Sequence, residues 1–411
     1  MPNTKIYTTH EARSCAIVGG GAAGFFLAIN LKEMCPSLHV TIMERSQHVL
    51  AKVGVSGGGR CNCTNTFRQV ADLAEVYPRG HRLLKRLFHS FGPEDAFRWF
   101  QQHGVWLTVQ PDECVFPASQ QSQTIIDCFT SHAKQLGIEV VCGVNIQSIE
   151  ELEVFDYVAI TIGGQPKAER LSWLADAGHQ IEQPVPSLFT LNIADKQLTS
   201  LMGTVCDTAT LMLPQTKFRA SGPLLITHWG LSGPAALKLS SQAARWLNEH
   251  NYESPIVINW CSQSESQAAE VLKALAAQHQ GKQVANVRPF NLSARLWTHL
   301  LERSIADKAT ARCSELGKKD TNRLVNALTA DTYHISGRAA FKDEFVTCGG
   351  VTLQSVVPQT LESRNRPGWY FAGEVLDIDG VTGGFNFQAA WTTAYTVAKA
   401  ISEKEHQIKD D

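Results

Sequence analysis

Short apolar runs alternate with longer stretches of helical period through the first part of the chain. Ala16 to Val18 reads as a buried strand, and Ala22 to Met34 as an amphipathic helix. Val40 to Met43 reads as a second strand, ending on Glu44. Residues 79–103 give two helices, with Pro93 suited to a first-turn position. Val105 to Phe116 reads as a hairpin around Pro111-Asp112, and Gln123 to Leu136 as another helix. Ile138 to Val144 and Tyr157 to Ile162 are β-rich. This alternation predicts a parallel sheet with helices on its faces.

The texture changes from about Glu182, where Pro184 and Pro186 are expected to break the chain. Leu188 to Ile193, Thr208 to Leu213, Pro223 to Ile226 and Ile256 to Trp260 suggest strands with few long helices between them, hence an inserted, mainly β domain. Ser232-Gly-Pro234 is expected to start a helix over Ala235 to Asn248. Residues 265–330 read as largely helical. The last block returns to strands at Phe345 to Leu353 and at Trp369 to Glu374, then to a helix ending near residue 402.

Three glycines between the first strand and the first helix carry the clearest chemistry. Gly19, Gly21 and Gly24 stand in the spacing G-x-G-x-x-G, and Glu44 follows twenty residues after Gly24. In a dinucleotide site the first glycine permits the tight turn and the second admits a pyrophosphate. The third lets the helix pack on the strand, and the acid accepts from a ribose. The same turn in an ordinary βα unit would serve structure alone. The motif does not separate NAD from FAD.

Two further glycine-rich segments join it. Lys52 to Asn65 contains Ser56, Gly57, Gly58, Gly59, Arg60 and Asn62. It reads as a flexible, donor-rich loop able to lie along a phosphate or a flat ring. Cys61 and Cys63 form a C-x-C, which suits structural thiols or a redox role. Glu374 ends a strand, where an acid suits the hydroxyls of a ribityl chain. Gly383-Gly384 precedes a helix whose positive end suits the charge of a reduced flavin.

Composition narrows the class. The chain has 411 residues, enough for two or three domains, and a net charge of −2, which gives no global pull toward nucleic acid or anionic membrane. No apolar run reaches a membrane span, and the polar first fourteen residues lack the core of a signal peptide. The 11 cysteines show neither zinc spacing nor a C-x-x-C, so no metal is expected and a cytoplasmic location is.

Taken together these segments resemble the BaiN/RdsA-type bacterial FAD-dependent oxidoreductases. The likeness runs through Gly19–Gly24, Ser56 to Asn65, Val115 to Ser119 and Gly178-His179. It continues through Thr227 to Pro234, Val346 to Val351, Phe371 to Asp377 and Gly383 to Asn386. It implies an α/β fold: a Rossmann-like FAD-binding domain built from both chain ends, residues 1–183 and 335–411, with an inserted β-rich domain at 184–264 and a small helical segment at 265–334. It implies FAD cradled by Gly19, Gly21, Gly24, Glu44, the Ser56–Asn62 loop, Glu374 and the Gly383–Asn386 turn. Ala22, Ala23, Arg45, Val144, Gly163, Gly373, Gly384, Phe385 and Asn386 complete the candidate cofactor set. Many such proteins carry a longer Ser/Pro/Gly-rich segment after the strand at Tyr157–Ile162, which here is shortened to Gly163-Gly-Gln-Pro-Lys167.

The expected chemistry is hydride transfer through flavin N5 to reduce a carbon–carbon double bond, with His228, Cys61 and Tyr333 as candidate proton donors. His228 and its neighbour Trp229 either face a substrate or pack between domains. One dinucleotide fingerprint is present, so NAD(P)H is expected to visit transiently. The substrate is a small molecule or, on the alternative, a ribosomal RNA base reduced to dihydrouridine. A flavin-binding redox sensor without catalysis is the third reading. No membrane partner is expected, and the sequence leaves the oligomeric state open.

Overall fold

All five residues of strand β1 (Ser14–Val18) are buried, as befits a run apolar on both faces. In the computed structural model, which describes residues 13–339 and 346–410, β1 lies at the centre of a five-stranded parallel sheet. Its neighbours are β2 (His39–Glu44) and, beyond it, β3 (Glu139–Cys142) on one side. On the other are β4 (Tyr157–Ile160) and then β5 (Trp369–Phe371). The order is β5-β4-β1-β2-β3, so a strand from the late part of the chain completes a sheet begun by the early part. The polar start read as lacking a signal peptide, and Phe345 at the head of an expected strand, lie outside the described residues.

Helix α1 (Ala22–Met34) has the expected bounds but differs in character. Nine consecutive residues, Ala23 to Leu31, are buried, so it has no wet face over that length. The reason is α2 (Phe385–Asp410), which packs along it. Phe26 meets Trp391 at 5.1 Å and Trp99 at 4.4 Å between ring centroids. The buried Asn30 is satisfied by the Phe26 carbonyl and the Trp99 indole N–H.

The hairpin expected at 105–116 forms from Leu107–Val109 and Cys114–Pro117, and Thr64–Asn65 adds a third antiparallel strand. Pro184 and Pro186 do not break the chain. Both lie in the strand Ile181–Ser187, which pairs with Val346–Val351 in a two-stranded ribbon. A strand with so few neighbours has positions that need no N–H.

The chain divides into two units, Met1–Pro186 with Lys342–Asp411, and Ser187–Phe341. Within the second, six strands close an antiparallel barrel in the order Val205–Met212, Arg219–Ile226, Gly230–Ser232, Leu191–Ile193, Asp331–Arg338 and Glu253–Asn259. Helices Glu265–Gln278, Ala294–Ile305 and Lys318–Thr329 belong to the same unit. The helical segment expected to reach 334 stops at Thr329. Residues 331–336 alternate buried and exposed, the period of a strand with one wet face, and they belong to the barrel. The boundary placed at 335 therefore falls inside a barrel strand. Gly233, not Ser232, caps the helix Pro234–Gln242, and Ser232 is a strand residue whose hydroxyl accepts from Thr190. Among the described residues no helix is long and apolar enough to cross a membrane.

Candidate functional site

The chain leaves β1 at Val18 and turns at once. The Gly19 amide donates to the Met43 carbonyl at 2.8 Å, and the Thr161 hydroxyl lies 3.1 Å from the Val18 carbonyl and 2.9 Å from that of Gly19. Gly24 seats α1 on this turn: a Cβ there would stand 2.0 Å from the Gly19 carbonyl oxygen. Gly21, at the helix N-cap, meets nothing within 4 Å of a Cβ position, and no side chain caps the helix. The first helical bond runs from the Phe25 amide to the Gly21 carbonyl. The amides of Ala22, Ala23 and Gly24 are thus left for an acceptor outside the helix, at its positive end.

Glu44 stands beside the turn. Its carboxylate accepts from the Gly20 amide at 2.8 Å and from the Ser46 amide at 2.9 Å. Two amides fix the group, and an ionised carboxylate keeps further acceptor sites for a ribose. The Val144 amide donates to the Glu44 carbonyl at 3.0 Å, which brings Val144 to the same end. Arg45 is exposed there.

The late segment meets the early one. The Ala372 amide donates to the Ile160 carbonyl, and Gly373 follows so close to α1 that a Cβ on it would lie 2.9 Å from the Ala23 Cβ. Glu374 accepts from the Thr347 amide at 2.8 Å and from Lys52 Nζ at 2.9 Å. Burial pushes its carboxyl up, but Lys52 and the amides of Thr347 and Gly164 outweigh this and hold it below the usual carboxylate range. Gly163, with φ +69°, begins the short connection after β4. A carboxyl lowered on folding adds stability above its unfolded pKa, and that stability is lost as pH falls through the folded value. Lys52→Met removes the main counter-charge. Its acid unfolding midpoint, followed by circular dichroism, is expected at higher pH than that of the parent.

The Ser56–Asn62 loop is more ordered than its composition suggests. Residues from Ala51 form a helical turn that breaks at Ser56 and passes through left-handed Gly57 and Gly58. The Ser56 hydroxyl donates to the Val53 carbonyl. Arg60 turns back on its own loop, with Nε 3.3 Å from the Gly57 carbonyl and its guanidinium 4.3 Å from the centre of the Phe116 ring. Asn62, with its amide oriented to satisfy its neighbours, accepts from the Gly384 amide at 3.2 Å and donates to the Thr64 carbonyl. Gly384 has φ +86°, and a Cβ on it would lie 2.2 Å from the Thr64 carbonyl oxygen.

Two side chains predicted to touch the cofactor are occupied otherwise. Both polar atoms of Asn386 bond Gly380, at 2.7 and 2.9 Å. Phe385 is buried against Phe67 and Tyr77, and the Tyr77 hydroxyl donates to the Phe385 carbonyl. What these positions can offer is backbone, because the first bond of α2 runs from the Gln388 amide to the Gly384 carbonyl. Arg79 and Asp379 form a two-point ion pair that anchors the loop before Gly380. The Asp379 side chain is fully buried.

The three candidate proton donors have different surroundings. Cys61 is fully buried, its Sγ 4.0 Å from that of Cys63. Tyr333 is buried within the second unit, 3.0 Å from His299 Nε2, and burial pushes its hydroxyl pKa up. Both are among the buried residues of their units. His228 is exposed beside Trp229 at the Thr227–Gly230 turn. Sequence reasoning missed Thr161, Lys52 and the Arg79–Asp379 pair. Lys52 and Glu374 are 322 positions apart, and no local spacing announces such a contact.

An uncapped helix start beside a tight glycine turn, a fixed acid at the end of β2 and a second glycine turn at the start of α2 fit a dinucleotide whose diphosphate and ring lie at different ends. Fold and site together define the class, a protein with a Rossmann-type domain suited to a dinucleotide. The chain belongs to the HI0933-like family, whose Rossmann-domain model matches residues 13–400. It is 25% identical over 412 residues to a 3-dehydro-bile acid delta(4,6)-reductase of Clostridium scindens, covering 94% of this chain and 98% of that protein. It is 27% identical over 425 residues to a ribosomal RNA dihydrouridine synthase of Haemophilus influenzae, with the same coverage of 94% and 98%. Among solved structures, 3-ketosteroid delta1-dehydrogenase from Sterolibacterium denitrificans aligns with a TM-score of 0.49 at 11% identity, over 95% of this chain and 100% of that one.

Proposed function

We propose that this protein is an FAD-dependent oxidoreductase that reduces a carbon–carbon double bond with electrons from NAD(P)H. One observation carries the reading: Gly373 packs on Ala23, so the uncapped start of α1 and the Glu374 segment lie side by side, as a single FAD site would need. Bound FAD would supply hydride exchange at N5. The amides of Ala22, Ala23 and Gly24 would hold its diphosphate and Glu44 its ribose. Glu374, kept ionised by Lys52, would accept from the ribityl hydroxyls. The backbone from Gly384 to Asn386, at the positive end of α2, would stabilise negative charge on the ring. His228, the exposed member of the three candidates, is the preferred proton donor. NAD(P)H would visit without a second Rossmann fold.

The names of the two relatives, a delta(4,6)-reductase and a dihydrouridine synthase, support reductive chemistry and give two substrate classes, a small molecule or a ribosomal RNA base. A basic groove in the second unit, lined by Lys319 and Arg323, favours the RNA reading. The test begins with the purified protein, which should be yellow and release FAD on heating. Anaerobic NADH or NADPH should bleach the flavin band, and the true acceptor should restore it. Enones and ribosomal RNA from a strain lacking the gene are the acceptors to try. Protein that neither carries FAD nor takes it up would end this proposal.

A further inference from the structure

Two thiols sit one residue apart where the chain leaves the Ser56–Asn62 loop. Cys61 and Cys63 are both fully buried, and their Sγ atoms lie 4.0 Å apart. The Cys63 S–H can donate to the Cys61 sulfur or to the Cys61 carbonyl oxygen at 3.3 Å. Residues two apart have Cα atoms about 5–7 Å from each other, which overlaps the span of about 4.4–6.8 Å that a disulfide bridges. Joining the two sulfurs therefore asks for side-chain rotation and a small shift of the loop, with no strand displaced.

The two partners are held differently. Cys63 is fixed: its amide donates to the Val115 carbonyl, and its own carbonyl accepts from the Trp391 indole N–H, each at 2.8 Å. Cys61 is strained, with φ +59°, in the left-handed region that few residues other than glycine enter. Gly57, Gly58 and Gly59 precede it and are exposed, and a Cβ on Gly58 or Gly59 would meet nothing within 4 Å. The chain before Cys61 is thus unpacked, and a short movement there admits a molecule the size of hydrogen peroxide. Burial pushes the Cys63 thiol up, so Cys63 keeps its proton. A proton aimed at the Cys61 sulfur favours the thiolate on Cys61. Two thiols kept only for packing would need neither the left-handed backbone at one nor the bare glycine run beside it.

We propose that Cys61 and Cys63 are a reversible dithiol–disulfide pair oxidised by a hydroperoxide. The Cys61 thiolate attacks the peroxide oxygen and breaks the O–O bond, giving a sulfenic acid on Cys61 and hydroxide, which takes up the proton that Cys61 lost. The Cys63 sulfur then attacks the Cys61 sulfur. The S–S bond forms, the S–O bond breaks, and the hydroxyl leaves as water with the Cys63 proton. Two electrons pass from the two thiols to hydrogen peroxide, which ends as two waters. The new ring encloses the backbone of Asn62. The Asn62 side chain accepts from the Gly384 amide at 3.2 Å and donates to the Thr64 carbonyl at 2.9 Å, and closure draws it off both. Oxidation is thereby relayed to the turn that starts α2. The reaction needs no flavin and stands apart from the proposed reductase chemistry.

The experiment uses the whole protein as purified. It is treated with hydrogen peroxide, blocked with N-ethylmaleimide in denaturant and cut with trypsin. Cleavage after Arg60 and Arg68 gives the peptide Cys61–Arg68, which holds both thiols and no other cysteine. It should emerge unlabelled and lighter by two hydrogens than the dithiol peptide, and dithiothreitol before blocking should restore both labels. Cys63→Ser should stop at a Cys61 sulfenic acid that dimedone captures. Cys61→Ser should leave Cys63 a free thiol that peroxide attacks roughly tenfold more slowly. Deuterium exchange in the segment carrying Gly384 should quicken roughly tenfold on oxidation and recover on reduction. The measurements on the parent decide the matter even where a variant fails to fold. A doubly labelled peptide, under peroxide that oxidises the exposed Cys142, overturns the proposal. So does an irreversible sulfinic acid on Cys61 beside a labelled Cys63, and so does exchange at Gly384 that ignores oxidation.

Discussion

Gly24→Val is expected to yield protein that carries no flavin and melts well below the parent. The new Cβ would start 2.0 Å from the Gly19 carbonyl oxygen, an atom of backbone that cannot step aside as a flexible side chain can. The Thr161 hydroxyl pins the same carbonyl at 2.9 Å and would itself lie 2.9 Å from the new Cβ. Relief must come from lifting α1 off β1, and α1 is packed along its length against α2. Overpacking in a well-filled core typically costs about 1–3 kcal/mol, and this site, bounded by backbone, belongs at or above the top of that range. The same displacement moves the amides of Ala22 and Ala23 away from where the proposed FAD would place its phosphates. FAD content by absorbance and the melting temperature by calorimetry should therefore fall together. Full flavin occupancy with an unchanged melt would show that the turn is not the anchor described.

Arg79→Ala should be at least as damaging, for an electrostatic reason. It leaves the fully buried Asp379 carboxylate without the guanidinium that meets both its oxygens. Breaking a buried pair from one side costs about 3–5 kcal/mol, because the remaining charge stays desolvated. The loop it anchors leads into Gly380, which Asn386 grips from the first turn of α2. The ring end of the candidate site should loosen first, giving weaker FAD binding before global unfolding. Replacing both partners by leucine should recover most of the stability but not the loop's position. A melt in urea and a flavin titration on the single and double variants separate the two effects. A single variant as stable as the parent would mean that water reaches Asp379 and the pair is not buried.

Much of this is legible in the residues because the signals are local. The bounds of α1 follow from a glycine turn before it and an unbroken run of apolar residues and glycine from Ala23 to Ile29. The strand and helix types of the first unit follow from run length and period. What is not legible depends on distant parts meeting. The amphipathic character expected for α1 fails because α2, more than 350 residues later, covers the face that would otherwise be wet. The first residues of Asp331–Arg338 read as helical because they follow helices directly. Their alternating burial has meaning only once Glu253–Asn259 and Leu191–Ile193 flank the strand. At the site, the glycines and acids can be named from spacing. The tasks of Asn386 and Phe385 cannot, since each is decided by a partner, Gly380 or Tyr77, that spacing does not reveal. Pro184 and Pro186 mislead for a related reason: a proline forbids a donor, not a strand, and the ribbon it joins has positions that need none.

The order of strands in the parallel sheet has a consequence for biosynthesis. Every strand of the barrel lies upstream of β5 and α2 in the chain, so a ribosome delivers the whole barrel while the sheet still lacks its last strand. Until then the flank of α1 that α2 covers is bare, with Phe26 held by Phe91, Trp99 and Phe129 but not yet by Trp391, and it is the surface a nascent-chain chaperone would be expected to hold. Synthesis that stalls before residue 369 would release a protein with a closed barrel and a greasy, half-built nucleotide fold.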